Sequence, residues 1–169
     1  MHVLVTAASR HGATTGIAEA VGDELRARGF EVSELPPDRI ETLRNVDAVV
    51  LGSGVYAGRW LEPARSFVTR HREALALLPV WLFSSGPIGD PAKPQGDPSE
   101  VAEITAAIGA RGHRVFAGRL DRHELGFAER AIVRVVGASE GDFRDWDGIR
   151  AWADEIAGAL RPAGEPISA

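Results

Sequence analysis

Two patterns of apolar residues alternate along the chain. Five short apolar runs predict buried strands: one that begins at Val3, and then residues 30–35, 46–51, 79–83 and 113–120. Between these runs, apolar residues recur every three or four positions, as on the buried face of a helix; Ile17, Val21 and Leu25 are one such set. Strands that alternate with helices predict an α/β domain over residues 1–160, with a doubly wound parallel sheet and helices on both faces.

Capping residues predict where several helices begin and end. Gly29 follows the first helix, at a place where glycine commonly terminates helices. Pro63 is tolerated in the first turn of the second helix, and a further helix runs from about 99–108. Asp145 and Asp147 suit the N-terminus of the final helix, whose predicted buried face consists of Trp146, Ile149, Ala153, Ile156 and Leu160.

The loop after the first strand is rich in small and hydroxyl-bearing residues. The hydroxyls of Ser9, Thr14 and Thr15, with backbone amides at the positive end of the helix dipole, suit a phosphate dianion without a lysine. The loop lacks the Gly-Lys-Ser/Thr ending of a Walker loop and the early glycines of a G-x-G-x-x-G motif, so it matches neither of them. The alternative is a plain strand-to-helix turn that is capped by Ser9 or Thr14.

Composition narrows the class of function. The chain has 169 residues, enough for one domain with a sizeable core. A net charge of -5 without a basic stripe argues against nucleic acid as a partner. The absence of cysteine excludes disulfides and thiol chemistry, and the five histidines are scattered without metal-ligand spacing. No apolar run approaches the roughly 20 residues of a transmembrane helix, so we expect a cytoplasmic protein.

Three of the predicted loops share the carboxyl edge of the sheet, where ligands bind in doubly wound folds. They follow the first, third and fourth strands, and together they resemble the binding loops of flavodoxins, whose strand order is 2-1-3-4-5 and whose cofactor is FMN. The resemblance implies phosphate binding by Ser9, Arg10, His11, Gly12, Ala13 and Thr14, in which Arg10 and His11 replace the usual small residues. It implies that Gly54, Val55, Tyr56, Ala57 and Gly58 border the isoalloxazine ring, and that Ser84, Ser85, Gly86, Pro87, Ile88 and Gly89 offer it backbone hydrogen bonds.

The loops that border the ring depart from those of small electron-carrying flavodoxins. If Tyr56 is the aromatic residue on the inner ring face, Ala57 occupies the position at which a glycine peptide flips in flavodoxins. The alternative is a shift of one residue, which would place Gly58 at that position. The segment 84–98 contains no aromatic residue. We therefore expect the outer ring face to be open to a flat organic substrate, unless Trp60 or Phe127 covers it.

An extra helical segment is predicted at about 121–140, with an apolar stripe of Leu125, Ala128, Ile132 and Val136. This segment, the final helix and residues 52–60 resemble the menaquinone-dependent protoporphyrinogen oxidases of flavodoxin type. We expect the stripe to pack on the sheet. The alternative is that the stripe, flanked by Arg122, Arg130 and Arg134, rests on the inner face of a membrane and brings the flavin to a lipid quinone. Residues 161–169 are a predicted flexible tail.

The resemblance implies an FMN oxidoreductase that passes two electrons between a flat, protoporphyrinogen-like substrate and a quinone, with the chemistry belonging to the cofactor. No general acid or base stands out, because His11 and His123 are expected in loops. Arg10 and Arg59 are candidates for attracting substrate carboxylates. Two alternatives stay open. One is an electron carrier that docks to a redox protein partner and accumulates a neutral semiquinone during reductive titration; the other is a domain of this fold that binds no FMN.

Overall fold

The computed structural model describes residues 1–86, 98–121 and 140–161, and within them five parallel strands form the central sheet. In chain order the strands are β1 (His2–Ala8), β2 (Glu31–Glu34), β3 (Ala48–Tyr56), β4 (Arg59–Trp60), β5 (Val80–Ser85), β6 (Gly112–Phe116), β7 (Arg119–Leu120) and β8 (Gly141–Asp142). The parallel strands lie in the order β2-β1-β3-β5-β6. Because β5 and β6 are the fourth and fifth predicted strands, the predicted order 2-1-3-4-5 is confirmed. The short strand β4 pairs antiparallel with β3, and β7 pairs antiparallel with β8.

Helices cover both faces of this sheet. They are α1 (Ala13–Ala27), α2 (Glu62–Arg70), α3 (Arg72–Leu75), α4 (Ser99–Ile108) and α5 (Trp146–Leu160), with a 3-10 turn at Pro37–Arg39. α1 and α5 pack on one face, and α2, α3 and α4 contribute to the core on the other. The extra helix predicted at about 121–140 lies outside the described residues except at its two ends, as does the predicted tail beyond Arg161.

Both faces of the central strands are buried. On β1, Val3 belongs to the core that contains Ile17 of α1, whereas the next residue, Leu4, belongs to the core that contains Phe67 of α2. Side chains of successive strand residues point to opposite faces, so a sheet covered on both sides is nearly continuously apolar in sequence. This double burial is the reason that apolar runs were sufficient to locate the central strands.

An aromatic cluster fills the core between β5, β6 and α5. The ring of Phe83 lies edge-on to Phe116 and Trp152, at centroid distances of 6.1 and 5.9 Å. A Cβ atom on Gly52 would overlap the Phe83 ring. The close approach of that ring to β3 therefore requires a glycine at this position.

Two strands differ from the prediction by more than a shift of one or two residues at an end. β3 continues to Tyr56 instead of ending at residue 51, because Gly52 and Ser53 pair with both β1 and β5 although their small side chains carry no apolar signal. The run 113–120 is interrupted at 117–118 and forms two strands, β6 and β7. None of the helices in the described ranges is long and apolar enough to span a membrane.

Candidate cofactor site

The carboxyl ends of β1, β3 and β5 lie side by side at one edge of the sheet. The strand register pairs Ala8 with Ser53 and Gly54 with Ser85, which brings together the three segments that leave this edge. These segments carry every predicted site residue of the described ranges, from Ser9 to Gly86. The remaining three, Pro87, Ile88 and Gly89, lie outside the described residues.

The predicted phosphate loop ends in a helix start that no side chain caps. Gly12 is the N-cap residue, in the left-handed conformation with φ 73°, so capping by Ser9 or Thr14 is wrong. Among the described residues, no acceptor is hydrogen-bonded to the backbone amides of residues 13–15. These amides are therefore available to an anion at the positive end of the α1 dipole.

The hydroxyl-bearing residues of the loop face different surroundings. Thr14 is only 4% exposed, and its Oγ1 lies 3.2 Å from the position that a Cβ on Gly54 would take. The Thr14 hydroxyl thus lies between the predicted phosphate loop and the predicted ring loop. Ser9 and Thr15 instead line a cleft of about 530 Å³ between the ends of β1 and β2, together with carboxylates that include Glu34.

Two arginines lie at the predicted phosphate loop. Arg10 belongs to the loop itself, and Arg119 reaches it from β7. The guanidinium carbon of Arg10 lies 4.5 Å from the centroid of the Tyr56 ring, and the ring of His11 lies 6.4 Å from the same centroid. Arg119 donates from Nη2 to the carbonyl oxygen of His11 at 3.4 Å. Two guanidinium groups therefore lie close to the loop that is predicted to hold phosphate.

Arg144 approaches the same loop from the chain between β8 and α5. Its Nη1 donates to the carbonyl oxygen of Ala13 at 3.3 Å, and its side chain is 9% exposed. Gly16 leaves the space for this guanidinium, since a Cβ there would lie 2.7 Å from Nη1. Asp142 pairs with Arg144 at 2.6 Å, and the hydrogen bond from Arg144 holds the pKa of the Asp142 carboxyl below its usual value.

The predicted ring loop is the tip of a β-hairpin. Tyr56 pairs with Arg59 across a two-residue turn, in which Ala57 has φ 50° and Gly58 has φ 75°. Two positive φ angles are the signature of the tight turn that matches the twist of a hairpin. Ala57 is a residue that seldom adopts this conformation, so the turn must be held by its surroundings.

The hydroxyl of Ser84 is engaged inside the protein. Ser84 is fully buried; its Oγ accepts a hydrogen bond from Trp60 Nε1 at 2.8 Å and lies 2.8 Å from His113 Nε2. The indole of Trp60 is 2% exposed and packs in the core on the α2 side. The Ser84 hydroxyl is therefore occupied by contacts within the protein, and the hydrogen bonds from this segment to a ligand stay predicted for its backbone.

The assembled residues fit a phosphate-bearing aromatic ligand. Open amides at a helix start and a buried hydroxyl suit the phosphate, while a glycine-containing hairpin tip gives a flat ring close access to the backbone. In the described parts of the chain, no group of three or more His, Cys, Asp or Glu side chains could hold a metal ion.

Comparison with known families identifies the family of this chain. Residues 4–147 match the flavodoxin domain. The chain belongs to the flavodoxin domain family. Membership of this family implies FMN as the cofactor and places the protein among the electron-transferring flavoproteins.

Solved structures share the flavodoxin fold at low sequence identity. A flavodoxin from the domain Archaea superposes with a TM-score of 0.64 and 16% identity, covering 94% of this chain and 98% of that chain. A cysteine-to-serine mutant of flavodoxin from Pseudomonas aeruginosa gives a TM-score of 0.65 and 20% identity, with 96% and 100% covered.

The same fold also occurs as part of a larger enzyme. The rubredoxin oxygen:oxidoreductase from the anaerobe Desulfovibrio gigas matches with a TM-score of 0.65 and 14% identity over 94% of this chain, but over only 36% of its own. No curated protein sequence matches this chain significantly. The comparisons thus show the family and the fold, and the substrate has to be inferred from the site.

Sequence reasoning did not identify Arg119, Arg144 or the hydrogen bonds of Ser84. Arg144 is 131 residues from its acceptor on the phosphate loop, and the sequence around it contains no motif for a phosphate contact. Arg119 lies in β7 and Arg144 follows β8, and the pairing of these two strands brings the two parts of the chain together.

Proposed function

We propose that this protein is an FMN-dependent oxidoreductase that transfers two electrons between a flat organic donor of protoporphyrinogen type and a quinone. One observation carries the proposal: the guanidinium of Arg10 lies on the ring of Tyr56 at the predicted ring loop. A guanidinium held over an aromatic ring suits the carboxylates of a conjugated substrate.

The chain contributes binding and orientation to this reaction. The amides of the first turn of α1 and the Thr14 hydroxyl hold the phosphate, while the hairpin tip around Ala57 borders the ring. Arg10 orients the carboxylate of the substrate. FMN, when bound, supplies the capacity to accept two electrons, and no side chain is assigned the part of a general acid or base.

The visible spectrum of the purified protein, with FMN added if it is colourless, followed by stepwise anaerobic reduction, is the first test. We expect a flavin spectrum that bleaches in a single two-electron step and activity with protoporphyrinogen and a quinone. A preparation that takes up no FMN contradicts the cofactor assignment. FMN uptake without turnover of any quinone contradicts the enzymatic part alone.

The Arg10→Gln variant tests the role of the guanidinium. We expect its KM for a carboxylated donor to rise about fivefold, which corresponds to roughly 1 kcal/mol of lost attraction, while kcat is retained. The matched control is Arg44→Gln, since Arg44 is exposed and lies next to Asn45, whose carbonyl contacts His2 at the opposite end of β1. Equal KM values for the two variants contradict the assignment of Arg10.

An electron carrier that docks to a redox protein is the second candidate. The exposed tip of the hairpin at Ala57, Gly58 and Arg59 favours it, because a protein partner could reach the ring edge there. A long-wavelength radical band that accumulates during reductive titration, without turnover of small molecules, would support this candidate over the enzyme.

A further inference from the structure

The hairpin that borders the predicted ring site is fastened to α4 by one carboxylate. Glu100, in the first turn of α4, accepts a hydrogen bond at Oε1 from the backbone amide of Trp60. Its Oε2 lies 3.5 Å from Nε of Arg59, and its side chain is 14% exposed. A single side chain therefore contacts both residues of β4, which is the strand that follows the hairpin turn.

The other side of β4 is fastened through buried groups. The indole of Trp60 donates to Ser84 of β5, at 2.8 Å, and the amide of Leu61 donates to the hydroxyl of Ser53 at 2.9 Å. These contacts join β4 and the residue after it to β5 and β3, two of the three strands whose carboxyl ends form the site. Glu100 differs from these two acceptors, Ser84 and Ser53, because it is charged and because it reaches β4 from a helix.

The turn needs these stabilising contacts for two reasons. A two-residue strand pair such as β3 with β4 is marginally stable by itself in water. In addition, Ala57 is held with φ 50°, a conformation that costs an L-residue free energy and persists only where the surroundings enforce it. Loss of a buried hydrogen-bonded carboxylate would let the turn relax towards other conformations.

We propose that Glu100 is a positioning residue that holds the Tyr56–Arg59 turn in the conformation in which it borders the flavin ring. The inference rests on the proposed binding of FMN at this edge. It assigns to Glu100 a part in ring binding, distinct from the phosphate binding of the α1 N-terminus. Contacts made by the ring and by the phosphate can be separated, because riboflavin carries the ring without the phosphate.

The test compares the dissociation constants of FMN and riboflavin, measured by flavin fluorescence. For Glu100→Ala we expect both constants to rise by the same factor, about tenfold, as for the loss of one hydrogen bond to a charged group. Glu100→Gln keeps an acceptor for the amide of Trp60 and should recover most of the affinity. The control Glu103→Ala removes an exposed carboxylate from the same helix and should bind both flavins as the unmodified protein does.

Amide hydrogen exchange of the flavin-free protein tests the contact between Glu100 and Trp60 without depending on the proposed binding of FMN. We expect Trp60 in Glu100→Ala to exchange at least about tenfold faster, with the amides of β1 unchanged. If the unmodified protein binds no flavin, the cofactor assignment fails, while the exchange experiment still tests the contact. Unchanged exchange at Trp60, or unchanged riboflavin affinity in Glu100→Ala, overturns the positioning role.

A second variant tests the proposal in case the Glu100→Ala protein does not fold. Trp60→Phe removes the hydrogen bond from the indole to Ser84 and part of the volume of a buried side chain, while it keeps an aromatic ring in the core. Riboflavin affinity should fall in this variant as well, because the same strand is loosened from its other side. Retention of full riboflavin affinity would contradict the idea that fastening of β4 controls the ring loop.

Discussion

Removal of the Thr14 hydroxyl should weaken the binding of FMN and leave the binding of riboflavin unchanged. Thr14→Val keeps the branched shape of a side chain that is 4% exposed and deletes only the hydrogen-bonding group. The hydroxyl lies in the first turn of α1, beside amides that have no acceptor among the described residues. A hydrogen bond to a charged group contributes about 1.5–3 kcal/mol, so the Kd of FMN should rise by roughly 10- to 150-fold.

Titration of each flavin, followed by the quenching of its fluorescence, measures this change. The riboflavin constant is the internal reference, because that ligand lacks the phosphate. Thr69→Val is the control variant. Thr69 is exposed on α2, and its hydroxyl donates to the backbone carbonyl oxygen of Arg65 in that helix. An unchanged FMN constant would place the phosphate elsewhere. Equal losses for FMN and riboflavin would show instead that Thr14 supports the ring loop through its contact with Gly54.

Three further variants test the fold around the site. Gly52→Ala should lower the free energy of unfolding by about 1–3 kcal/mol, measured by urea denaturation, because its Cβ would meet the Phe83 ring; unchanged stability would contradict that packing. Ala57→Gly should raise the melting temperature, since relief of a left-handed alanine is worth about 1 kcal/mol. Asp142→Asn should be less stable than the unmodified protein at pH 7. Because Arg144 lowers the pKa of the folded Asp142 carboxyl, the stability that the pair provides is present above the unfolded pKa of about 4. That stability is lost as the pH falls through the lower folded pKa, so thermal unfolding of the two proteins should converge in acid.

The order of the strands could be predicted from the sequence, but the extent of β3 could not. Strand order follows from alternating apolar runs and from the resemblance of the loops between them, and the structure confirms it. Residues 52–54 have no apolar side chain, and they belong to a strand because Gly52 and Ser53 pair with both β1 and β5 and Gly54 pairs with β5. Backbone pairing of this kind leaves no trace in hydropathy, so the predicted strand ended at residue 51.

The same distinction separates the parts of the site that could be predicted from those that could not. The loops after β1, β3 and β5 could be located, because neighbouring parallel strands must end at one edge. The roles of these loops in binding stay predictions. Glu100 and Arg144 gave no local signal: one meets Trp60 across 40 residues, and the other meets Ala13 across 131 residues. Tertiary contacts of single polar side chains depend on packing that periodicity does not encode.

The charge at this edge of the sheet illustrates why composition is a poor guide to a site. The chain carries a net charge of -5, yet Arg10, Arg119 and Arg144 all reach the predicted phosphate loop or the ring beside it. Salt screens exposed charges beyond about 8–10 Å, so a bound anion senses these neighbours much more strongly than the distant acidic surface. Asp142 pairs with Arg144 at this edge, so the local arrangement of guanidinium and carboxylate groups, and not the net charge of the chain, determines which ligand charge the site favours.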